Sequence, residues 1–365
     1  MNDVKCSNCG SEYPETGTPY KCTICGGFYK YPGIKSFDLR QIDSEMPGLW
    51  RYKNFFHLDK KSPLIHLGEG DTPLVWVNIL NHKVAFKLEY LNPTGSFKDR
   101  GSALLVSFLK SRGVKSAVED SSGNAGSSFS AYAVRANINA TIYIPEYASG
   151  PKRRQIEAHG AKVNLVPGPR SAAAEEVKNA AESGACYASH VYFPIGIDGF
   201  ATIAFELYDQ MQQTPGTIIL PVGQGSLLLG IIYGFSILLT GKFIKRMPKI
   251  IGVQASACAP IWAVYKYGAQ GLSLLTEGET IAEGVRIKHP LRGDVILELL
   301  KEFGGEMLAV DEFDIKKGQK ELARLGFYVE PTSAVVYKAI EQSIDNFPSP
   351  IVAILTGSGL KSETT

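Results

Sequence analysis

Charge of one sign is what this sequence most clearly lacks. Its 38 lysines and arginines nearly cancel 36 aspartates and glutamates, leaving +2 over 365 residues with both signs interspersed. No electrostatic footprint for nucleic acid is present. The basic triplet Lys152-Arg153-Arg154 is too short to change that and fits a solvated helix start. No charged leader followed by an apolar segment opens the chain, so no signal peptide is expected and the expected location is cytoplasmic. Long hydrophobic runs are scarce as well. The most apolar, Ile218 to Leu239, would match a membrane span by length, but Pro221, Gly223, Gln224 and Gly225 break it, and strand, turn and helix explain it better. Low-complexity segments are absent. The six histidines, at 57, 66, 82, 159, 190 and 289, show no metal-ligand spacing, and Cys186 and Cys258 are most simply buried small apolar residues.

The other four cysteines do form a pattern. Cys6-Ser7-Asn8-Cys9-Gly10 and Cys22-Thr23-Ile24-Cys25-Gly26-Gly27 are two CxxC knuckles twelve residues apart. Four thiolates so placed can close a tetrahedron around zinc, with each glycine permitting the turn that aims backbone N–H groups at sulfur. The alternative is two disulfides, which a cytosolic chain would not keep. With no open ligand position, Cys6, Cys9, Cys22 and Cys25 predict a structural and not a catalytic Zn2+ site.

The remaining signals are three glycine-rich junctions between a strand-like and a helix-like stretch. The first, Leu91-Asn92-Pro93-Thr94-Gly95-Ser96-Phe97-Lys98-Asp99-Arg100-Gly101, follows the apolar run Val84 to Tyr90 and precedes helical spacing at Ala103, Leu104, Val106 and Leu109. Lys98 therefore falls near a helix N-terminus. The positive end of the helix dipole and partial burial there disfavour its ammonium form, leaving neutral amine to attack an aldehyde. The second junction is Glu119-Asp120-Ser121-Ser122-Gly123-Asn124-Ala125-Gly126, and the third is Ile218-Ile219-Leu220-Pro221-Val222-Gly223-Gln224-Gly225-Ser226. Free N–H groups at such a helix start form an anion site suited to phosphate. One glycine loop would be weak evidence, because a tight turn needs glycine for geometry alone. Three in this order are much stronger.

Strand candidates at Val84–Tyr90, Ser116–Asp120, Ala140–Ile144, Lys162–Val166, Thr217–Val222, Lys249–Ala255 and Val352–Thr356 alternate with longer helical stretches. That alternation argues for parallel sheets covered by helices. It makes the chain an α/β protein with too many strands for one compact sheet.

With these motifs the chain resembles the threonine synthase branch of the pyridoxal-phosphate enzymes built like the tryptophan synthase β subunit, over nearly its whole length. Asn-Pro-Thr-Gly-Ser-Phe-Lys-Asp-Arg-Gly matches that family's cofactor-lysine motif, and Ser-Ser-Gly-Asn matches its asparagine loop. Val222 to Leu227 is similar to its phosphate cradle, and Leu355-Thr356-Gly357-Ser358-Gly359-Leu360-Lys361 to its closing segment. The resemblance implies two doubly wound parallel-sheet domains with the cofactor between them, preceded by a small zinc ribbon. Residues 1–45 would form ribbon and linker, 46–97 with 205–365 a larger domain, and 98–204 a smaller one. It further implies that pyridoxal 5'-phosphate is held by Lys98, that Asn124 orients its ring hydroxyl, and that Val222, Gly223, Gln224, Gly225 and Ser226 cradle its phosphate. Thr356 would partner the ring nitrogen. A neutral hydroxyl there cannot keep that nitrogen protonated, so elimination and replacement gain relative to transamination. Lys98 would be the catalytic residue, serving again as the base for the α proton. A homodimer acting on a small amino-acid substrate is expected.

The departures from the family pattern bear on that substrate. Threonine synthases usually carry Asn-Pro-x-Arg-x-x-Gly-Gln-Lys-Thr, whose arginine grips the phosphate of O-phosphohomoserine. Here the stretch is Phe193-Pro194-Ile195-Gly196-Ile197-Asp198-Gly199-Phe200-Ala201-Thr202. Gly196 replaces the arginine, Phe200 and Ala201 the Gln-Lys pair, and Ala125 stands where a threonine hydroxyl is common. The Glu283-Gly284-Val285 segment is closer to that of serine and threonine dehydratases, and Glu330 and Ser96 are further candidates to brace or touch the site. The reading is a lyase or synthase that eliminates or replaces a β or γ substituent, not tuned to O-phosphohomoserine. One alternative is an authentic threonine synthase gripping phosphate through Lys152, Arg153 or Arg170. An alternative of another class is a zinc-ribbon regulatory protein on a retired enzyme scaffold, against which the intact Lys98, Asn124 and glycine cradle weigh.

Overall fold

The computed structural model describes residues 3–33, 37–275 and 278–362. They divide into two compact units, Met1–Gly70 with Asn92–Phe200, and Asp71–Leu91 with Ala201–Ser362. These units are drawn differently from the sequence boundaries, since residues 46–70 and 92–97 group with the first. The cause is a knot of polar contacts. Leu49 N–H donates to the Glu69 carbonyl at 2.8 Å, Gly70 N–H to Asn92 Oδ1 at 3.0 Å, and the Tyr132 hydroxyl to Glu69 Oε2 at 2.7 Å. A buried carboxylate held this way is costly to detach.

The first unit is built on a four-stranded parallel sheet in the order Lys162–Val166, Asn139–Pro145, Ser116–Glu119, Cys186–Tyr187. Helices Lys98–Ser111, Asn124–Arg135, Gly150–Ala158 and Arg170–Glu182 accompany it. Such a parallel arrangement places its loops for chemistry at the carboxyl ends of the strands, and Glu119 is the last residue of one of them.

The same unit carries the ribbon, where Lys5–Cys6 pairs antiparallel with Tyr29–Lys30. Its aromatics fasten it down. Tyr13 packs edge-on against Tyr29 and Phe108, with centroids 4.6 and 5.9 Å apart. Tyr20, lying between the two knuckles, meets Tyr187 and Tyr192 at 5.0 Å each. Cys186 is only partly buried and sits 3.2 Å from the Thr18 hydroxyl, so it is not the plain apolar core residue the sequence suggested. Cys258 is buried as expected.

The second unit holds a six-stranded sheet in the order Glu306–Val310, Lys249–Ala255, Thr217–Pro221, Ile351–Ile354, His82–Lys87, Leu74–Ile79. All pairs are parallel except the last, an antiparallel edge hairpin. Its central strands are buried on both faces, and Ile219, Val253, Ala353 and Phe86 share one core with Val335, Val336 and Ile340 of helix Pro331–Ser343. That burial is why the sequence there reads as continuous apolar runs and not as alternation. The run from Ile218 resolves into strand Thr217–Pro221 and helix Ser226–Thr240, and no described helix is long and apolar enough to cross a membrane.

Candidate active site

Lys98 is the first residue of helix Lys98–Ser111 and is half-buried, its Nζ 4.7 Å from the centroid of the Phe97 ring. The loop before it is fixed through Asp99. That carboxylate accepts from the Thr94 N–H at 2.7 Å and from the Thr94 and Ser128 hydroxyls at 2.6 Å each. Ser128 lies on helix Asn124–Arg135, so two of the three junctions predicted from sequence are tied together at their helix starts. Within the second junction Gly126 lets the helix start pack on the preceding loop, because a Cβ there would run into the Ser121 carbonyl. Ser96 is fully buried, and its Oγ has no hydrogen-bond partner among the described residues. An orphaned hydroxyl this deep is unusual in the absence of a ligand.

Beside Lys98 lies a narrow cleft, partly open to solvent, with free room for about one water molecule. Its walls are Leu105, Phe193 and Phe200 together with Gly101, Ala125 and Gly196, and its polar members are Ser102 and His190. Three of the four departures noted in the sequence, Ala125, Gly196 and Phe200, therefore line one wall system with the lysine. The fourth does not. Ala201 is fully buried, with its carbonyl close against Gly234 of helix Ser226–Thr240, so this position serves packing.

His190 is the residue that sequence reasoning passed over, grouping it with histidines that lack metal spacing. Its Nδ1 lies 2.9 Å from Glu119 Oε1, while Glu119 Oε2 accepts the Ser121 N–H at 2.6 Å. Next to this pair the Tyr187 hydroxyl donates to Asp120 Oδ1 at 2.8 Å. Burial pushes Glu119 up to about 7 against the smaller opposing pull of the Ser121 N–H and the charges of Arg170 and Lys98. Burial, then the charge of Lys98, holds His190 well below its ordinary value. Burial and the neighbouring Glu119 also raise Asp120. Two adjacent acids ending an apolar strand were the available sequence signal; their partner 71 residues onward was not legible.

The second unit contains the other predicted residues. Gly225, with φ of +84°, starts helix Ser226–Thr240, and a Cβ on it would collide with Ile296 Cδ1. A Cβ on Gly223 would come 2.5 Å from the Gly284 carbonyl. Gln224 Oε1 accepts the Leu291 N–H at 3.1 Å, and the Val222 carbonyl accepts from Gln254 at 3.2 Å. This glycine-bearing loop leads straight into a helix start whose N–H groups lack intrahelical partners, which fits a phosphate. Thr356 is buried, its hydroxyl 3.0 Å from that of Ser333, and Ser333 accepts the Gly357 N–H at 2.8 Å. Glu330 is buried and its N–H donates to the Gly357 carbonyl at 3.0 Å, whereas Glu283 is exposed. Within this unit, the helix-start N–H groups suit an anion such as phosphate, and Thr356 offers a buried, neutral hydroxyl.

In the ribbon, ligand atoms of Cys6, Cys9, Cys22 and Cys25 all lie within 4.8 Å of one another. Cys6 and Cys25 sulfurs are 3.4 Å apart and Cys9 and Cys22 sulfurs 3.7 Å. A zinc tetrahedron with bonds of about 2.3 Å has edges near 3.8 Å, so four unbridged thiols at this spacing fit the ion.

A family model described as pyridoxal-phosphate dependent enzyme matches residues 65–357. The threonine synthase of Methanosarcina acetivorans is 32% identical over 382 aligned positions, covering 100% of this chain and 93% of that protein. That of Methanocaldococcus jannaschii is 34% identical, covering 98% and 92%. Among solved structures, a threonine deaminase from T.th. superposes with a TM-score of 0.68 at 23% identity, covering 90% of this chain and 100% of that one. Maize serine racemase gives 0.68 at 21%, covering 80% and 88%.

Proposed function

The chain belongs to the pyridoxal-phosphate dependent enzymes, among relatives of threonine synthase, and from that premise we propose that it eliminates or replaces a β or γ substituent of an amino acid, favouring substituents without a phosphate charge. The observation that carries this is the apolar wall beside Lys98, where Gly196, Phe200 and Ala125 offer no side-chain hydrogen bond.

Pyridoxal phosphate, when bound, supplies an electron sink for charge developing at the substrate's α carbon. The remaining tasks fall to this chain. Lys98 Nζ would hold the cofactor's aldehyde and, as a neutral amine, would serve as the base for the substrate's α proton. Asn124 would contact the ring hydroxyl. The helix start after the loop from Val222 to Ser226 would hold the phosphate, and Thr356, steadied by Ser333, would be the neutral partner of the ring nitrogen. That neutrality favours loss or exchange of a substituent over transamination. The four ribbon cysteines hold a structural zinc.

A second reading, an authentic threonine synthase, is favoured by the full-length similarity to two archaeal threonine synthases. In it Arg170, whose charge reaches Glu119 and His190, would grip phosphate. Holoprotein assayed on serine, threonine and homoserine, each free, O-acylated and O-phosphorylated, separates the two. Turnover of free or acylated compounds over phosphorylated ones supports the first reading. Threonine made from O-phosphohomoserine at rates ordinary for metabolic enzymes supports the second and overturns the first.

A further inference from the structure

Leaving groups differ in what they ask of a site. A phosphate departs as a stable anion and needs cations to receive it; a hydroxyl departs only when protonated and needs an acid within reach. The cleft beside Lys98 is apolar at Gly196, Phe200 and Ala125, yet the same cleft contains His190. We propose that His190 is the acid that protonates the departing oxygen of a β-hydroxy amino acid, with Glu119 as the positioning residue behind it. This rests on the elimination reading above and names its substrate class.

The geometry is that of a held imidazole. Glu119 is 1% exposed. Its Oε2 is locked by the Ser121 N–H at 2.6 Å and its Oε1 meets His190 Nδ1 at 2.9 Å. With Nδ1 so engaged, the nitrogen left for substrate is Nε2, for which no hydrogen bond is found among the described residues, on a side chain that keeps 22% of its surface exposed. The groups facing the pair come from every neighbouring element. They are Lys98 from its helix start, Asp120 from the loop after the strand, Arg170 from helix Arg170–Glu182, and Tyr187, which bonds Asp120. Burial raises Glu119 to about 7 while it lowers His190, so near neutrality the pair takes up one proton that belongs to both. It can release that proton through Nε2.

The step balances. The α proton goes to Lys98 Nζ, and the electron pair of that C–H bond becomes the second bond between Cα and Cβ. The Cβ–O bond breaks with its pair on oxygen, which takes the proton from His190 Nε2 and leaves as water. An acetate leaving group needs no such proton.

The test compares serine with O-acetylserine on the holoenzyme and adds a readout apart from turnover. His190→Gln should lower kcat on serine about 100-fold or more, the usual loss for a general acid, and on O-acetylserine less than about fivefold. In 15N-histidine NMR, His190 should lack a proton on Nε2 above pH 8 and gain it near pH 7, and Glu119→Gln should remove that inflection. Equal losses on both substrates, or an NMR titration indifferent to Glu119→Gln, would overturn the proposal. If the wild type eliminates from O-acetylserine but not from serine, the proposal fails and the elimination reading stands. If it acts on neither, both fail.

Discussion

Glu119 shows how a single residue ties the sheet to the site. It is the last residue of strand Ser116–Glu119, fully within the fold, and its folded pKa stands at about 7 against an ordinary 4.5 because burial penalises its charge. The sign of the consequence is fixed. Between those two values the folded state holds a proton that the unfolded state has released, so this group's contribution to stability is greatest below pH 4.5 and falls as pH rises to about 7. The loss is on the order of 3 kcal/mol. Glu119→Gln should flatten that decline and leave the variant more stable than wild type at pH 8, as read by denaturant titration at several pH values. Parallel pH profiles for the two proteins would show that the carboxyl is not desolvated as described. That Lys98 begins a helix was legible from sequence because its motif is local. The pairing of His190 with Glu119 was not, because the two lie 71 residues apart in sequence.

At the scale of elements, the strand-to-helix junctions were readable where glycine and serine punctuate an apolar run. All seven strand candidates match observed strands within two residues at the start, and the one beginning at Val84 ends three residues early, at Lys87. The strands Leu74–Ile79 and Glu306–Val310 were missed, as were the two-residue strands Lys5–Cys6, Tyr29–Lys30 and Cys186–Tyr187. The first, Leu-Val-Trp-Val-Asn-Ile on a sheet edge, carries the β-branched and aromatic residues of a strand and was passed over, whereas the second is short, half-covered and has a single β-branched residue. Gly225 is the element-scale test of the phosphate loop. Gly225→Ala forces a side chain into left-handed backbone, at about 1–2 kcal/mol, and against Ile296. Affinity for pyridoxal phosphate, measured by absorbance titration, should fall about tenfold or more; unchanged affinity would remove the loop from the site.

The ribbon is too small to fold on its own apolar contacts and should depend on its metal. Its Tyr20 packs on Tyr187 and Tyr192, which flank the segment carrying His190. Cys9→Ser should therefore release zinc and speed hydrogen exchange both within residues 3–33 and at 187–192, with cofactor absorbance largely kept. Stoichiometric zinc in a variant lacking all four cysteines would rule the site out.

For the whole molecule, the α/β class and the cofactor family were legible, since parallel sheets demand the strand-helix alternation the sequence displays. The compact units were not, because the contacts of Glu69 and Asn92 that set residues 46–70 with the first unit join residues distant in sequence. The substrate preference belongs to this scale. O-phosphohomoserine should be used at least about 100-fold less efficiently than an uncharged analogue, two missing contacts at about 1.4 kcal/mol each being enough. Gly196→Arg alone should raise activity on the phosphorylated compound selectively. A Cβ at Gly196 meets nothing nearer than 3.6 Å, whereas a lysine at the fully buried position 201 would disrupt packing. A selective gain on the unphosphorylated analogue would contradict the assignment of that wall.

The catalytic expectations depend on Lys98. Borohydride reduction of the yellow holoprotein, followed by proteolysis and mass mapping of the pyridoxyl-lysine peptide, tests it directly. The account predicts a single adduct on Lys98, absent from Lys98→Ala; an adduct fixed on any other lysine of the wild type would contradict it.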